Sequence, residues 1–445
     1  MPNLFAYIAL IAWPFIALLF YKRLSALEAT FWTIIGGFLL LPVRVAIDFP
    51  FVPPMNKESI VAISALIGCR YVSRIKVKFV PPDGIERWLI LILLITPFFT
   101  VLNNQEPIHF IRGLSLYDAL STIINQYLTL LPFILGLQLI KSQHDQILLF
   151  KLLVIAGLAY SVPILFEVRM SPQLHTWIYG FFPHSFIQQY RYDGFRPVVF
   201  MGHGLVVAMF VAMTFGMSTL LMKQKIRIGR LPPQLIVGYL FVLLILCKSA
   251  GAFILGVFLF IAIAWTPNTI IKRASLSIVA IFMLYPFLSI FDLFPHDKLI
   301  RLIENYDVTR AESLGFRFNN EHLLLIHAKE KLLTGWGVWG RNRLEGVTTD
   351  GYWIIFFGQF GIVGFVSLFG LLAIGVWKAI KVSFMIENKN NRKILLSYAL
   401  IVAVMLIDQL PNASLSAWMF FIVGGLLGRA RSIKSSHNHE QQALR

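Results

Sequence analysis

The sequence predicts an all-α, polytopic integral membrane protein, on two observations. Of its 445 residues 57% are hydrophobic and only 14% charged, with a mean hydropathy of +0.73, far from the balance of a globular domain. The apolar residues also fall in continuous runs of roughly twenty residues, the length that crosses a bilayer as a helix. In hydrocarbon every backbone amide must find its partner inside its own segment or a closed barrel, so such runs are helices and not open strands.

Thirteen runs are read as spans, with 12–13 transmembrane helices as the expected count. The first, 4–21, has no basic residue before it and is long enough to remain as a helix, so it is no cleaved signal. The runs 29–46, 59–72 and 88–102 follow, separated by Lys22 and Arg23, by a Pro-rich stretch and by a basic stretch from Arg70 to Arg87. Next come 119–140 and 147–166, parted by a short polar turn after Lys141, and then a polar segment, 167–197. The runs 198–222, 233–247, 250–265 and 274–291 lead to the longest polar segment, 292–350. Inside it, 316–333 mixes apolar and charged residues at helical spacing and is stopped by Gly335, which predicts a surface helix with Arg317 and His327 turned toward the bundle. The runs 351–377, 394–410 and 415–428 complete a single membrane domain over residues 1–428. The remaining 429–445 is polar and predicted to be disordered.

Assigning alternate connections to one side gathers 24 of the 39 Lys and Arg there, with 6 of the 22 Asp and Glu. The opposite side holds 15 and 16. The positive-inside rule makes the first side cytoplasmic, with the N-terminus outside and the C-terminus inside. The net charge of +17 therefore reports topology and contact with anionic membrane lipids, and nucleic-acid binding is not implied. Cys69 and Cys247 cannot form an outward disulfide framework, and no CxxC occurs. No HExxH motif or phosphate-binding Gly-rich loop is present, and His322 and His327 are five residues apart, off the spacing for a shared metal. Neither metal nor cofactor is expected.

The chemistry should lie on the outward side, in 292–350 with 167–197. In Arg191-Tyr-Asp193-Gly-Phe-Arg196-Pro-Val-Val-Phe-Met-Gly-His203-Gly a polar approach turns at Pro197 into a span. That puts His203 about two turns inside a helix, where an ionisable side chain is a functional candidate. Arg196 suits bidentate capture of phosphate oxygens. Lys248, in a tight outward turn, is placed to reach the same anion. Each has a plain alternative: a helix-bridging histidine, a snorkelling arginine, a turn cation.

The pattern Ser313-Leu-Gly-Phe-Arg317 followed by Gly335-Trp-Gly337, together with the mid-chain Arg196 step into a helix, resembles the O-antigen ligase and polysaccharide polymerase superfamily. The resemblance covers roughly 190–365. It implies action on an undecaprenyl-pyrophosphate-linked glycan at the periplasmic face of a bacterial inner membrane, without metal or nucleotide sugar. Arg196 and Arg317, with Arg191 and Lys248 beside them, then hold pyrophosphate. Where many ligases carry a His-Asn pair before the span after the large loop, this chain has Thr349-Asp350. Asp350 as proton acceptor or as an arginine's partner are both open, and His203 is the other candidate for the proton. The departure favours a repeat-unit polymerase, working beside a flippase and a chain-length regulator, over a ligase acting on lipid A-core. A transporter or flippase for lipid-linked sugars is the alternative from another class.

Overall fold

The structure, a computed structural model, describes residues 1–48, 53–108, 110–191, 193–348 and 350–443. Among these residues eight helices are long and apolar enough to cross a membrane, and shorter apolar helices stand beside them. The chain is an all-α, multi-pass membrane protein, and each of the thirteen predicted runs falls on a helix.

In chain order the first six are α1 (Leu4–Arg23), α2 (Ala26–Leu40, with a π turn over Trp32–Gly36), α3 (Lys57–Ile67), α4 (Ile85–Leu102), α5 (Leu116–Leu139) and α6 (Gln143–Met170). After the short α7 (Leu174–Tyr179) come α8 (Gly204–Lys223), α9 (Pro233–Leu246), α10 (Ala250–Trp265) and α11 (Asn268–Ile290). Two helices outside the span pattern, α12 (His296–Glu304) and α13 (Val308–Lys329), precede α14 (Tyr352–Val382), α15 (Lys389–Ile407) and α16 (Ala417–Ala443). The sheet content described is one two-residue pair, β1 (Ala46–Ile47) against β2 (Met55–Asn56).

Lipid tails are as apolar as the side chains, so helices in a membrane associate by close packing of small residues. The α5–α16 pair shows this. A Cβ on Gly424 would lie 2.0 Å from the carbonyl oxygen of Phe133, one on Gly136 2.2 Å from that of Phe421, and one on Gly428 2.4 Å from that of Leu137. Gly424 and Gly428 are four apart, so they share one face of α16. The tail corrects the expectation of disorder: α16 runs on to Ala443. After Gly428 it contains neither Gly nor Pro, Ala430 and Ile433 are buried, and Arg431 is pinned by Glu86 (2.6 Å) and Asp83 (2.8 Å). Lys378 holds the same Glu86 carboxylate.

Two further boundaries differ from expectation, and both shape the site. The run predicted as a span from 198 becomes helical only at Gly204. And α14 is broken inside, at Gly361 (φ 63°, ψ −165°).

A Gly→Ala change inside a helix ordinarily stabilises by about 0.5–1 kcal/mol. Gly424→Ala should reverse that sign and destabilise by about 2 kcal/mol, whereas Gly238→Ala on α9, where a Cβ meets nothing within 4 Å, should not. Thermal unfolding of both variants in detergent checks this.

Candidate functional site

Breaking α14 at Gly361 frees backbone groups that a membrane helix cannot leave bare. The chain after α13 pairs them. Trp336 and Gly337 donate their N–H groups to the carbonyls of Gly358 and Gln359 (both 2.8 Å), and Ile362 and Val363 donate to the carbonyls of Leu332 and Leu333 (2.8 and 3.4 Å). The approach is too close for side chains at the contact: a Cβ on Gly335 (φ 71°) would sit 2.4 Å from the backbone of Gln359, and one on Gly361 2.4 Å from that of Leu333. Thr100 of α4 donates to the Thr334 carbonyl (2.6 Å), and Asn104, just past the end of α4, to that of Gly335 (2.9 Å). The glycines of the Gly335-Trp-Gly337 pattern thus serve docking. This joint fixes α13 against the bundle.

Held there, α13 presents Arg317 and Glu321 one turn apart on one face. Arg317 Nε is 3.3 Å from Asp350 Oδ2, and its Nη1 donates to the Pro411 carbonyl (3.3 Å). Asp350 is therefore the partner of Arg317 and not a cap, since the residue capping α14 is Gly351. The two residues line a cavity of about 230 Å³ with Glu321, Tyr285 and otherwise mostly apolar walls such as Phe318 and Leu410. Glu321 accepts a hydrogen bond from the Tyr285 hydroxyl (2.5 Å). Burial pushes its carboxyl up to about 7, against the lowering effect of that bond. Behind Arg317 the buried Asp408 takes hydrogen bonds from Asn412 (2.7 Å) and Ser414 (2.6 Å).

The second half of the site is a stretch of irregular backbone, residues 197–203, buried as far as Met201, where the sequence predicts helix from 198. Its amides are satisfied by side chains. The buried Glu167, in the last turn of α6, accepts from Val198 (2.8 Å), Val199 (2.7 Å) and Leu174 (3.0 Å). Phe200 donates to the Tyr160 hydroxyl (3.1 Å), while the ammonium of the buried Lys57 donates to the Phe200 carbonyl (3.3 Å). Val199, a β-branched residue, is held at φ 47°, a conformation that persists only where the surroundings impose it.

This backbone moves His203 out of the helix. It caps the N-terminus of α8, its Nδ1 accepting the N–H of Leu205 (3.0 Å). With Nδ1 so occupied, the neutral ring carries its proton on Nε2 and offers a donor, not a base. Burial pushes the imidazole down to about 4, helped by His184, Arg196, Arg317 and Arg191. His184 meets it edge to face, with ring centroids 4.7 Å apart, and is itself pushed down by burial and by Arg44.

Arg196 is buried, and its Nη2 donates to the carbonyl of Lys248 (3.0 Å). Lys248 Nζ donates in turn to the carbonyl of Arg191 (3.2 Å). The structure thus gathers Arg191, Arg196, Lys248, His203, Arg317 and Asp350 at one end of the bundle. His327 is not among them: its Nε2 bonds the Arg341 carbonyl (2.9 Å) and its ring stacks on Trp336 at 4.3 Å. Glu321, Arg44, His184 and Glu167 belong to the site or its frame and were not singled out from sequence. The i, i+4 relation of Glu321 to Arg317 is the one signal that pointed to any of them. Thr349, half of the Thr349-Asp350 departure, lies outside the described residues.

No protein-family model matches this chain, and no curated protein matches it.

Removing the Glu167 carboxylate strands three buried N–H groups at about 1–3 kcal/mol each. Glu167→Ala should therefore unfold several kcal/mol more readily, and Glu167→Gln, which turns an NH₂ toward N–H donors, should recover only part of the loss. Chemical denaturation in detergent, followed by tryptophan fluorescence, checks the order.

Proposed function

We propose that this chain is a bacterial inner-membrane glycosyltransferase that polymerises undecaprenyl-pyrophosphate-linked repeat units at the periplasmic face. The observation that carries the reading is the gathering of Arg191, Arg196, Lys248 and Arg317 around His203 at one end of the bundle. The Arg317–Asp350 pair is about one-third exposed on each side, and such a pair contributes only about 0–1 kcal/mol to stability. Gathering three more cations, Arg191, Arg196 and Lys248, at the same end of the bundle costs repulsion, which an anionic ligand would offset. Guanidinium groups match pyrophosphate oxygens, and the apolar cavity next to Arg317 suits a lipid-borne substrate. The basic excess at the other end of the bundle sets the proposed orientation, with the C-terminus cytoplasmic.

In this reaction a hydroxyl oxygen of the acceptor sugar attacks the anomeric carbon of the lipid-linked glycan. The C–O bond to pyrophosphate breaks, and the leaving group departs with the electron pair. Arginines placed where that charge develops stabilise the transition state, so no general acid is required. Asp350, with one oxygen on Arg317 and partial access to solvent, accepts the hydroxyl proton. His203 acts through Nε2–H as a donor to phosphate. A transport reading is less favoured: in transporters unwound backbone coordinates cargo, whereas here the groups freed at Gly361 pair with residues 332–337.

Arg317→Ala should lower turnover of extracted undecaprenyl-pyrophosphate oligosaccharide by roughly 10²–10³-fold, read as loss of the product ladder in a reconstituted assay. Unchanged ladders would contradict the reading.

Glu321 supplies a pH signature. Its carboxyl titrates at about 7, so it is neutral below that pH and negative above it, one turn from Arg317. Ionisation weakens anion binding, so KM for the lipid-linked donor should rise as pH climbs through 7, and Glu321→Gln should flatten that rise. The sign for stability agrees: a carboxyl raised from 4.5 to about 7 makes the fold lose stability between those pH values, because the unfolded chain releases its proton first.

A further inference from the structure

A second cleft, away from the arginines, runs down the outer part of α5. Its polar residues Asp118, Ser121, Thr122, Asn125, Gln126 and Thr129 recur at three- and four-residue steps and so form one stripe on a membrane-spanning helix. The stripe lines two adjoining cavities of about 370 and 190 Å³, which share Thr122, Asn125 and Thr129. Gln126 borders the inner one and is 9% exposed, yet among the described residues neither its amide nitrogen nor its amide oxygen has a partner. A buried amide left unpaired costs about 1–3 kcal/mol for each group, which marks it as awaiting a ligand that both donates and accepts. At the mouth stands Trp339, 57% exposed and at φ 65°. Its Nε1 donates to Asp118 (2.8 Å), fixing the ring as a platform over the outer cavity. Among the described residues no Arg or Lys lines either cavity; Glu58 and Asp118 line the outer one, and Arg112 pairs with Asp118 at 3.4 Å.

We propose that this cleft binds uncharged, polyhydroxylated sugar residues and, resting on the function proposed above, that it seats the acceptor end of the glycan. Amides and hydroxyls in a row match sugar hydroxyls, which donate and accept alike, and a fixed indole face matches the apolar face of a pyranose ring. Among the described residues no Arg or Lys lines the cleft and its neighbour Arg112 is matched by Asp118, which separates this site from the pyrophosphate site. The arginine-side cavity and the inner polar cavity both border the start of α14: Asp350 and Ile354 line the first, Tyr352 and Phe356 the second. An acceptor chain seated on α5 would thereby lead its terminal hydroxyl toward Asp350.

The test uses the full chain in lipid nanodiscs and two probes. One is labelled oligosaccharide released by mild acid from extracted undecaprenyl-pyrophosphate glycan; the other is undecaprenyl pyrophosphate itself. Equilibrium dialysis should show saturable sugar binding that weakens at least tenfold in Gln126→Leu and in Trp339→Ala, with lipid binding unchanged. Gln126→Leu should melt no lower than the parent, which shows that the loss is not unfolding. Sugar binding that ignores both substitutions, or no sugar binding while the lipid still binds, overturns the cleft and leaves the pyrophosphate site standing. Sugar binding lost in both variants, in a protein that never binds the lipid, keeps the cleft and overturns the proposed glycosyl transfer.

Discussion

The break in α14 at Gly361 is the constraint on which the site depends. A helix interrupted within the bundle exposes carbonyls and amides that neither lipid nor apolar side chains can pair, and residues 332–337 supply the partners. Because the contact is backbone to backbone, it admits little slippage, and glycine at 335 and 361 is what lets the two chains approach. The hydrogen bonds from Thr100 and Asn104 tie the same joint to α4. This joint anchors the C-terminal end of α13, and the bonds of Glu321 to Tyr285 and of Arg317 to Asp350 and the Pro411 carbonyl set the face that carries them.

Glu167 plays the matching part on the other side. One carboxylate, taking three backbone amides, holds residues 197–203 in a path that is neither helix nor solvent-exposed loop. The strain at Val199 and the non-helical His203 follow from that path. Its product is local order: Arg196 turned onto the Lys248 carbonyl, and His203 locked as a cap with its Nε2 proton outward. Two rigid frames, one built on a broken helix and one on a buried carboxylate, bring arginines from distant parts of the sequence to one end of the bundle.

The electrostatics of that end differ from those of the opposite end. There Glu86 is met by Lys378 and Arg431 in a compensated cluster, and cation and anion balance within a few ångströms. At the arginine end one partly exposed carboxylate, Asp350, pairs directly with Arg317, and desolvation pushes the Glu321 carboxyl up to about 7. Burial thus preserves a positive excess that an additional ionised acid would cancel. The histidines add no charge, since burial and neighbouring cations keep His203 and His184 neutral at ordinary pH.

Most of the fold was legible in the sequence, because a bilayer turns hydrophobic run length directly into helices. The thirteen runs and a helix over much of 316–333 required nothing else. Arg196, Arg317 and Asp350 were also legible as candidates, since charged residues beside spans are few. Three things were not. The helical tail depends on Arg431 finding Glu86, and the non-helical 197–203 depends on Glu167, thirty residues away; hydropathy registers neither partner. The break at Gly361 sits in a run as apolar as any other, so periodicity reads through it. Sequence by itself determined which segments lie in the membrane and which residues carry charge, because those follow from composition along the chain. Only the tertiary structure decided which of those charges meet, and that the half-buried Glu321 carboxyl is pushed up to about 7 among them, because proximity and desolvation are properties of packing.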